Sequence, residues 1–237
     1  MKLLVDADYI VYKCCASAET EIDYGDDVIV VSSLFSDAMR CVERDLANIK
    51  NNFFDTEMIL FFSDSKNFRK EIDPAYKGHR NRKKPCGYRR VINELSNRYE
   101  VIKLDTLEAD DAMGIYATKE PGNIICSPDK DMLQIPGQVF NMKETVTVTP
   151  EEGKRWHYIQ TMAGDATDGY SGIPGIGVKR AAALRDQHGL KWSTVVNAFK
   201  EKDLEEDVAL MNARLAKILT KEEYDNGPLL WTPVPED

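Results

Sequence analysis

The chain has 237 residues, with 31 Lys and Arg against 40 Asp and Glu and a formal net charge of −9 at pH 7. At 43% hydrophobic residues it can build a real core, as one large domain or one domain with an appendage, and a uniformly basic nucleic-acid binder is excluded. No apolar run approaches membrane-spanning length, and Met1-Lys2-Leu3-Leu4-Val5-Asp6 meets an acid too early for a signal peptide, so the expected location is the cytoplasm.

In chain order, Lys2 to Val5 reads as a central parallel strand ending in Asp6-Ala7-Asp8, and Tyr9 to Ser17 as a helix. Val28 to Ser32 has strand composition. Ser36 to Asn48 has helical spacing, and Met58 to Phe62 is a second buried strand leading into Ser63-Asp64. Val91 to Ser96 reads as a helix, Val101 to Leu104 as a strand, Ala109 to Thr118 as a helix and Asn123 to Cys126 as a strand. Val139 to Asn141 and Thr145 to Val148 are expected to close the sheet edge. Helices follow at Pro150 to Met162, Val178 to His188, Trp192 to Phe199 and Leu204 to Leu219, then an extended Pro-rich tail from Gly227. The expected fold is α/β, a mostly parallel central sheet flanked by helices over residues 1–149, with a helical part over 150–237. Cys14, Cys15, Cys41, Cys86 and Cys126 show no metal-type pair spacing and read as reduced thiols.

Three features carry chemistry. The first is acidic. Asp6, Asp64 and Asp129 each follow a strand-like apolar run, and Glu108, Asp110 and Asp111 open a helix after another. Parallel neighbours would bring these acids, with Asp131, Asp165 and Asp168, to one sheet edge. There they would repel one another unless hard divalent cations with oxygen ligands, Mg²⁺ or Mn²⁺, were bound. Two such ions about 4 Å apart suit in-line displacement at a phosphodiester. Asp8 reads equally well as a structural residue.

The second is a basic segment over residues 65–90. It holds Lys66, Arg69, Lys70, Lys77, Arg80, Arg82, Lys83, Lys84, Arg89 and Arg90 with Tyr76 and Tyr88 interleaved, and its prolines and glycines predict irregular backbone. Cations beside aromatic rings suit a nucleic-acid strand. The third is Gly172-Ile173-Pro174-Gly175-Ile176-Gly177 before Lys179 and Arg180. It reads as a turn between helices whose amides and basic side chains hold phosphate without reading bases, and its carbonyls are candidate ligands for a monovalent cation.

Taken in order, Asp6, Asp64, Tyr76-Lys77-Gly78-His79-Arg80, Glu108-Ala109-Asp110-Asp111, Ser127-Pro128-Asp129-Lys130-Asp131, Gly164-Asp165-Ala166-Thr167-Asp168 and the glycine turn resemble the flap-endonuclease-like 5′-nucleases from Leu3 to about Leu190. The short chain and its ending are most similar to the phage-encoded 5′→3′ exonucleases. The resemblance implies a PIN-like nuclease fold with a helix-hairpin-helix at about 164–190. It implies a monomeric enzyme that cuts DNA from 5′ ends of duplex, nick or flap, and the RNA strand of an RNA–DNA hybrid in the wider range, to leave 5′-phosphates. Asp6, Asp64, Glu108 and Asp110 would serve one of two metal ions, and Asp129, Asp131 and Asp168 the other, with Asp111 and Asp165 as additional ligands. Lys77 and Arg80 would act on the scissile phosphate. Tyr76, Arg82, Lys83, Lys84, Gly175, Gly177, Lys179 and Arg180 would hold DNA.

Two readings compete. Asp6-Ala7-Asp8 with Gly164-Asp165 and Asp168 resembles the haloacid-dehalogenase-like phosphatases, with Asp6 as nucleophile and Asp8 as general acid, but leaves the basic segment and the glycine turn unused. A non-catalytic DNA-binding protein would gain nothing from carboxylates beside phosphate.

Overall fold

The computed structural model describes residues 1–80 and 83–234. The elements are β1 (Lys2–Asp6), α1 (Ala7–Ser17), β2 (Glu19–Asp23), β3 (Ile29–Ser33), α2 (Phe35–Lys50), β4 (Glu57–Phe61), α3 (Arg69–Ile72), α4 (Tyr88–Ser96), β5 (Glu100–Ile102), α5 (Ala109–Lys119), β6 (Ile124–Cys126), β7 (Gly137–Phe140), β8 (Thr145–Val148), α6 (Pro150–Ala163), α7 (Val178–His188), α8 (Trp192–Lys200) and α9 (Glu206–Ala216). A 3₁₀ turn, Lys130–Gln134, joins β6 to β7.

Leu3, Leu4 and Val5 are buried on both faces of β1, as a strand covered by helices on each side requires. The main sheet has the order β5-β4-β1-β6-β7-β8, parallel except for β8, which returns antiparallel along β7. Successive strands run outward from β1 through β4 to β5, and then restart on its other side with β6. The switch point therefore lies between β1 and β6, where open α/β sheets place their sites beyond the carboxyl ends of the strands. One sheet face packs Leu3, Val5, Leu60 and Cys126 on α1, α2 and α4; the other packs Leu4, Ile59, Phe61 and Ile125 on α5 and Ile218. In α2 the apolar series Met39, Val42, Leu46 and Ile49 supplies the inward stripe.

Two features add to the expectations. Residues 19–33 form a hairpin, β2 with β3, as a two-stranded sheet of its own, outside the main one. Glu19, Glu21 and Asp23 alternate along β2 and mask its strand character, while Ile29, Val30 and Val31 on β3 are exposed. The described part of the tail has no helix or strand, in keeping with the expected extended chain, and it is anchored by one residue. Trp231 lies edge-on to His157 and Trp192, at centroid distances of 5.0 and 5.3 Å, over the core of the helical part.

α6 begins at a capping box, Thr149 with Glu152, and has Pro150 in its first turn. Its His157 is buried, with Nε2 2.8 Å from the Ala213 carbonyl; burial and the Lys217 ammonium push its pKa down to about 3. The folded value lies below the unfolded one, so the stability this neutral ring supports is complete above pH 6.5 and declines as the pH falls toward 3. Over that window the stability difference between the wild type and His157→Gln is expected to shrink by about 1.4 kcal/mol per pH unit. Urea midpoints of both proteins measure it; a pH-independent difference would mean that the folded ring titrates normally.

Candidate active site

The cleft at the switch point has a volume of about 430 Å³, and its lining includes Asp6, Asp8, Glu108, Asp110, Asp129, Asp131 and Asp168 with Lys77, Arg80 and Lys84. Asp6 ends β1 and caps α1, its Oδ1 accepting from the Tyr9 amide at 3.1 Å and its Oδ2 from the Ser127 hydroxyl at 2.9 Å. Burial still pushes its pKa up to about 6, with Asp8 and Asp129 adding repulsion. Asp110 is held well above the carboxylate range by burial and then by Asp6, Asp129 and Glu108. Asp129 caps the 3₁₀ turn by accepting from the Asp131 amide at 2.9 Å. Burial, Asp129 and Asp168 raise Asp131 to about 7, although the Gln160 amide of α6 donates to it at 2.6 Å. Asp168 arrives from the far side, on the loop after α6.

That loop is built on close glycine packing. Gly164 and Gly172 have φ of +68° and +59°, and a Cβ on Gly164 would stand 2.4 Å from the Ser171 carbonyl carbon. No larger residue lets the two ends of the loop touch in this way. The Gly172 amide donates to Asn212 Oδ1 of α9 at 3.0 Å, which fixes the crossing.

The basic segment leans onto the acids. Lys77 pairs with Glu108 and lies 3.5 Å from Asp168, and Arg80 donates to Asp168 at 2.7 Å. Burial would raise Glu108, but Lys77 and Arg69 outweigh it and hold the carboxyl low. The Tyr76 hydroxyl is 2.9 Å from Asp168 and 3.1 Å from Glu108, so one proton serves two carboxylates.

Six of the expected ligands therefore share the cleft: Asp6, Glu108, Asp110, Asp129, Asp131 and Asp168. Three others do not line it. Asp64 bonds Lys103 at 2.9 Å and the Thr106 amide at 3.0 Å, and these donors hold its pKa far down; β4 lies outside β1, away from the switch point. Asp111 is fully buried and receives both arms of the Arg69 guanidinium, at 2.7 and 2.8 Å. Asp165 turns its Oδ1 to the Thr167 and Asp168 amides and shapes the loop that carries Asp168.

The aromatic part of the basic segment also needs correction. Tyr76 is 1% exposed and Tyr88 is buried with its hydroxyl on Asp8, so neither ring is free to stack on a base. Arg69 is likewise a core residue. Arg80, Lys83 and Lys84 are exposed, with Lys84 Nζ over the Tyr88 ring at 4.5 Å; Arg82 lies outside the described residues. Gly175 and Gly177 are exposed in the turn between α6 and α7, beside Lys179 and Arg180, and Arg180 donates to the Gly175 carbonyl at 2.9 Å. Gly177 caps α7 without a side chain, which leaves the first amides of that helix open to an anion. Sequence reasoning missed Ser127, Gln160, Tyr9 and Lys13, which bond the acids or line the cleft. Ser127 sits two residues before Asp129, whose amide donates to its hydroxyl oxygen at 3.2 Å, a turn spacing that could have signalled it.

A carboxylate cleft at a parallel-sheet switch point, with cations laid over it and an open helix start beyond, defines a phosphodiesterase of the 5′-nuclease type. Residues 1–158 match the family described as 5′-3′ exonuclease, N-terminal resolvase-like domain. The exodeoxyribonuclease of Enterobacteria phage T3 is 30% identical over 98% of this chain and 92% of its own length, and the exonuclease of Escherichia phage T7 is 29% identical over 98% and 93%. The T5 D15 protein co-crystallized with metal ions shares the fold at a TM-score of 0.67 and 14% identity, over 91% of this chain and 89% of that one. This chain belongs to the 5′-3′ exonuclease family and is an exonuclease. Membership overturns the phosphatase alternative, and Asp8, already bonded by the Ser63 amide at 2.8 Å and by Tyr88, is poorly placed as its general acid. No described helix is long and apolar enough to cross a membrane.

Proposed function

We propose that the chain hydrolyses DNA phosphodiesters from 5′ ends with divalent cations, Mg²⁺ or Mn²⁺, held in two places in the cleft, and leaves 5′-phosphates. The observation that carries this reading is the concentration of carboxylates whose pKa values burial and mutual repulsion push up: Asp6 to about 6, Asp131 to about 7 and Asp110 well above its ordinary value. Such groups lack counter-charge, and an all-oxygen donor set suits hard cations. Asp6, Glu108 and Asp110 would serve one ion; Asp129, Asp131 and Asp168 would serve the other. When bound, the ions would activate water and neutralise charge on the reacting phosphate.

The chain's own groups account for the rest. Ser127 and the Tyr9 amide orient Asp6, and Gln160 orients Asp131. Lys77 and Arg80 rest on Glu108 and Asp168 and are the cations nearest to hand for phosphate oxygens. Lys83 and Lys84 extend that positive edge. Residues 150–237 would hold the duplex through the Gly175–Gly177 turn, Lys179 and Arg180, as a helix-hairpin-helix contact, with one copy of the chain acting alone. The T5 D15 protein has been solved with DNA and metal ions, and the exodeoxyribonuclease name of the T3 relative points to DNA.

The decisive assay uses 5′-labelled duplex, nicked, flapped and single-stranded DNA, and an RNA–DNA hybrid, with Mg²⁺ and product sizing. Mononucleotides and short products from duplex ends are expected. Long flap products alone would make it a structure-specific endonuclease, and silence with every divalent metal would end the proposal. Lys179→Ala with Arg180→Ala should weaken duplex binding regardless of sequence and make the slope of log affinity against log salt shallower by nearly 2, about 0.9 per phosphate contact.

A further inference from the structure

A second set of ligand atoms lies between α1 and α2, outside the lining of the carboxylate cleft. Among the described residues, Cys14, Cys41 and Asp45 are the one group of three His, Cys, Asp or Glu side chains whose ligand atoms all fall within 4.8 Å of one another. The cleft acids, spread around Lys77 and Arg80, form no such triad.

We propose that Cys14, Cys41 and Asp45 bind one thiophilic divalent cation, of the Zn²⁺ or Cd²⁺ class, which clamps α1 to α2. Two facing helices supply the donors at helical spacing. Cys41 and Asp45 are four apart on α2, and Cys14 and Ser17 three apart on α1, so each pair shares a helix face. Cys14 Sγ stands 3.6 Å from Asp45 Oδ2, and the Ser17 hydroxyl 3.8 Å from Cys41 Sγ, adjacent to the triad as a weak fourth ligand or a place for water. Cys14 is fully buried and Cys41 half-buried. A cavity of about 180 Å³, whose lining includes Lys13, Asp45 and Asn48 but neither cysteine, opens beside Asp45.

The chemistry separates this site from the cleft. Thiolate ligands select soft or borderline ions, whereas an all-carboxylate set favours Mg²⁺ or Mn²⁺. Binding converts two thiols and one M²⁺ into a dithiolate complex and releases two protons to water, the Asp45 carboxylate adding its charge without further proton loss. Burial keeps the Cys14 thiol protonated until an ion arrives. Lys13 and Arg44 oppose binding, because both pair with Asp45 and Arg44 also donates to Cys41 Sγ at 3.3 Å. Asp45 is 13% exposed, but the Lys13 and Arg44 side chains are 45% and 64% exposed, so both cations can swing into water as metal–thiolate bonds form. Lys13 also lines the carboxylate cleft, so an ion on Asp45 would free its ammonium to face the cleft.

The test uses the full chain, reduced and freed of metal, with excess Mg²⁺ to fill carboxylate sites, titrated with Cd²⁺ alone. A thiolate-to-cadmium charge-transfer band should rise and saturate at one equivalent, since carboxylates give no such band. Cys41→Ala should weaken Cd²⁺ binding by more than about 100-fold, beyond the 10–100-fold loss typical of removing a supporting group around a metal. Asp45→Asn should weaken it while keeping the band, and Cys126→Ala, which removes a thiol from the sheet core, should change neither affinity nor stoichiometry. Far-ultraviolet circular dichroism checks that each variant is folded. Absence of the band in the wild type overturns the proposal, as does a band of unchanged affinity in folded Cys41→Ala.

Discussion

Asp110→Asn is expected to slow strand cleavage by about 10²–10³-fold and, in the presence of chelator, to make the folded protein more stable. The two effects have one cause. Asp110 is held well above its ordinary pKa by burial first and then by Asp6, Asp129 and Glu108, so its charge opposes folding. Asparagine keeps the shape and removes that charge, for a gain on the order of 1 kcal/mol per pKa unit of the original shift. Because the folded pKa is raised, the penalty in the wild type is present at neutral pH and fades as the pH falls below the folded value toward the unfolded one near 4. The stability advantage of Asp110→Asn should therefore be large at pH 7.5, small at pH 4, and reduced again when Mg²⁺ is added, because only the wild type gains a full ligand set. Urea denaturation under these three conditions, beside single-turnover cleavage of an end-labelled duplex, reads both arms. A variant that cuts normally, or that is less stable than the wild type in chelator, would remove Asp110 from the metal site.

Breaking the pair between Arg69 and Asp111 should have the largest effect on stability. The Arg69 guanidinium is 1% exposed, meets both Asp111 oxygens, and donates to the Leu215 and Lys217 carbonyls. Asp111 in turn accepts from the Leu219 amide at 3.2 Å and the Glu108 amide at 3.3 Å. This knot joins the end of α9 to the first turn of α5, where Glu108 and Asp110 project into the cleft. Arg69→Met leaves a buried carboxylate without its partner, and the expected loss is about 3–5 kcal/mol. Arg69→Met with Asp111→Leu should recover part of that loss, but not all, because backbone groups at Glu108, Leu215, Lys217 and Leu219 lose their partners. The Asp111→Asn single variant separates two roles. As a structural residue it should lower the urea midpoint while cleavage persists at low temperature; as a metal ligand it would abolish cleavage and leave the midpoint unchanged or higher.

Glu108, Asp110, Asp129 and Asp131 were legible because each follows or opens an apolar element, and alternation of strands with helices puts such positions at a common edge. Asp64 obeys the same rule and yet stands apart from the cleft lining. The rule identifies strand ends, but only strand order says which ends lie at the switch point, and β4 is on the outer side of β1. Asp111 shows the same limit on a helix. Sharing a face with Glu108 was correct, but which neighbour that face meets depends on Arg69, 42 residues earlier. Tyr76 and Tyr88 sat among cations and read as stacking rings, whereas burial turned their hydroxyls toward Asp168 and Asp8.

The sequence by itself determined the parallel α/β arrangement, the acids at element boundaries, the basic segment before them and the glycine turn after them, because hydrophobic periodicity and turn chemistry are local. It also determined the family, since the acid motifs occur in a fixed order along the chain. The tertiary structure alone decided which carboxylates remain available, since a charge is free only if no cation or amide from a distant segment has taken it. It decided too that Cys14, Cys41 and Asp45, unremarkable in spacing, stand together, because two helices bring their faces into contact and no local pattern records which residues will meet there.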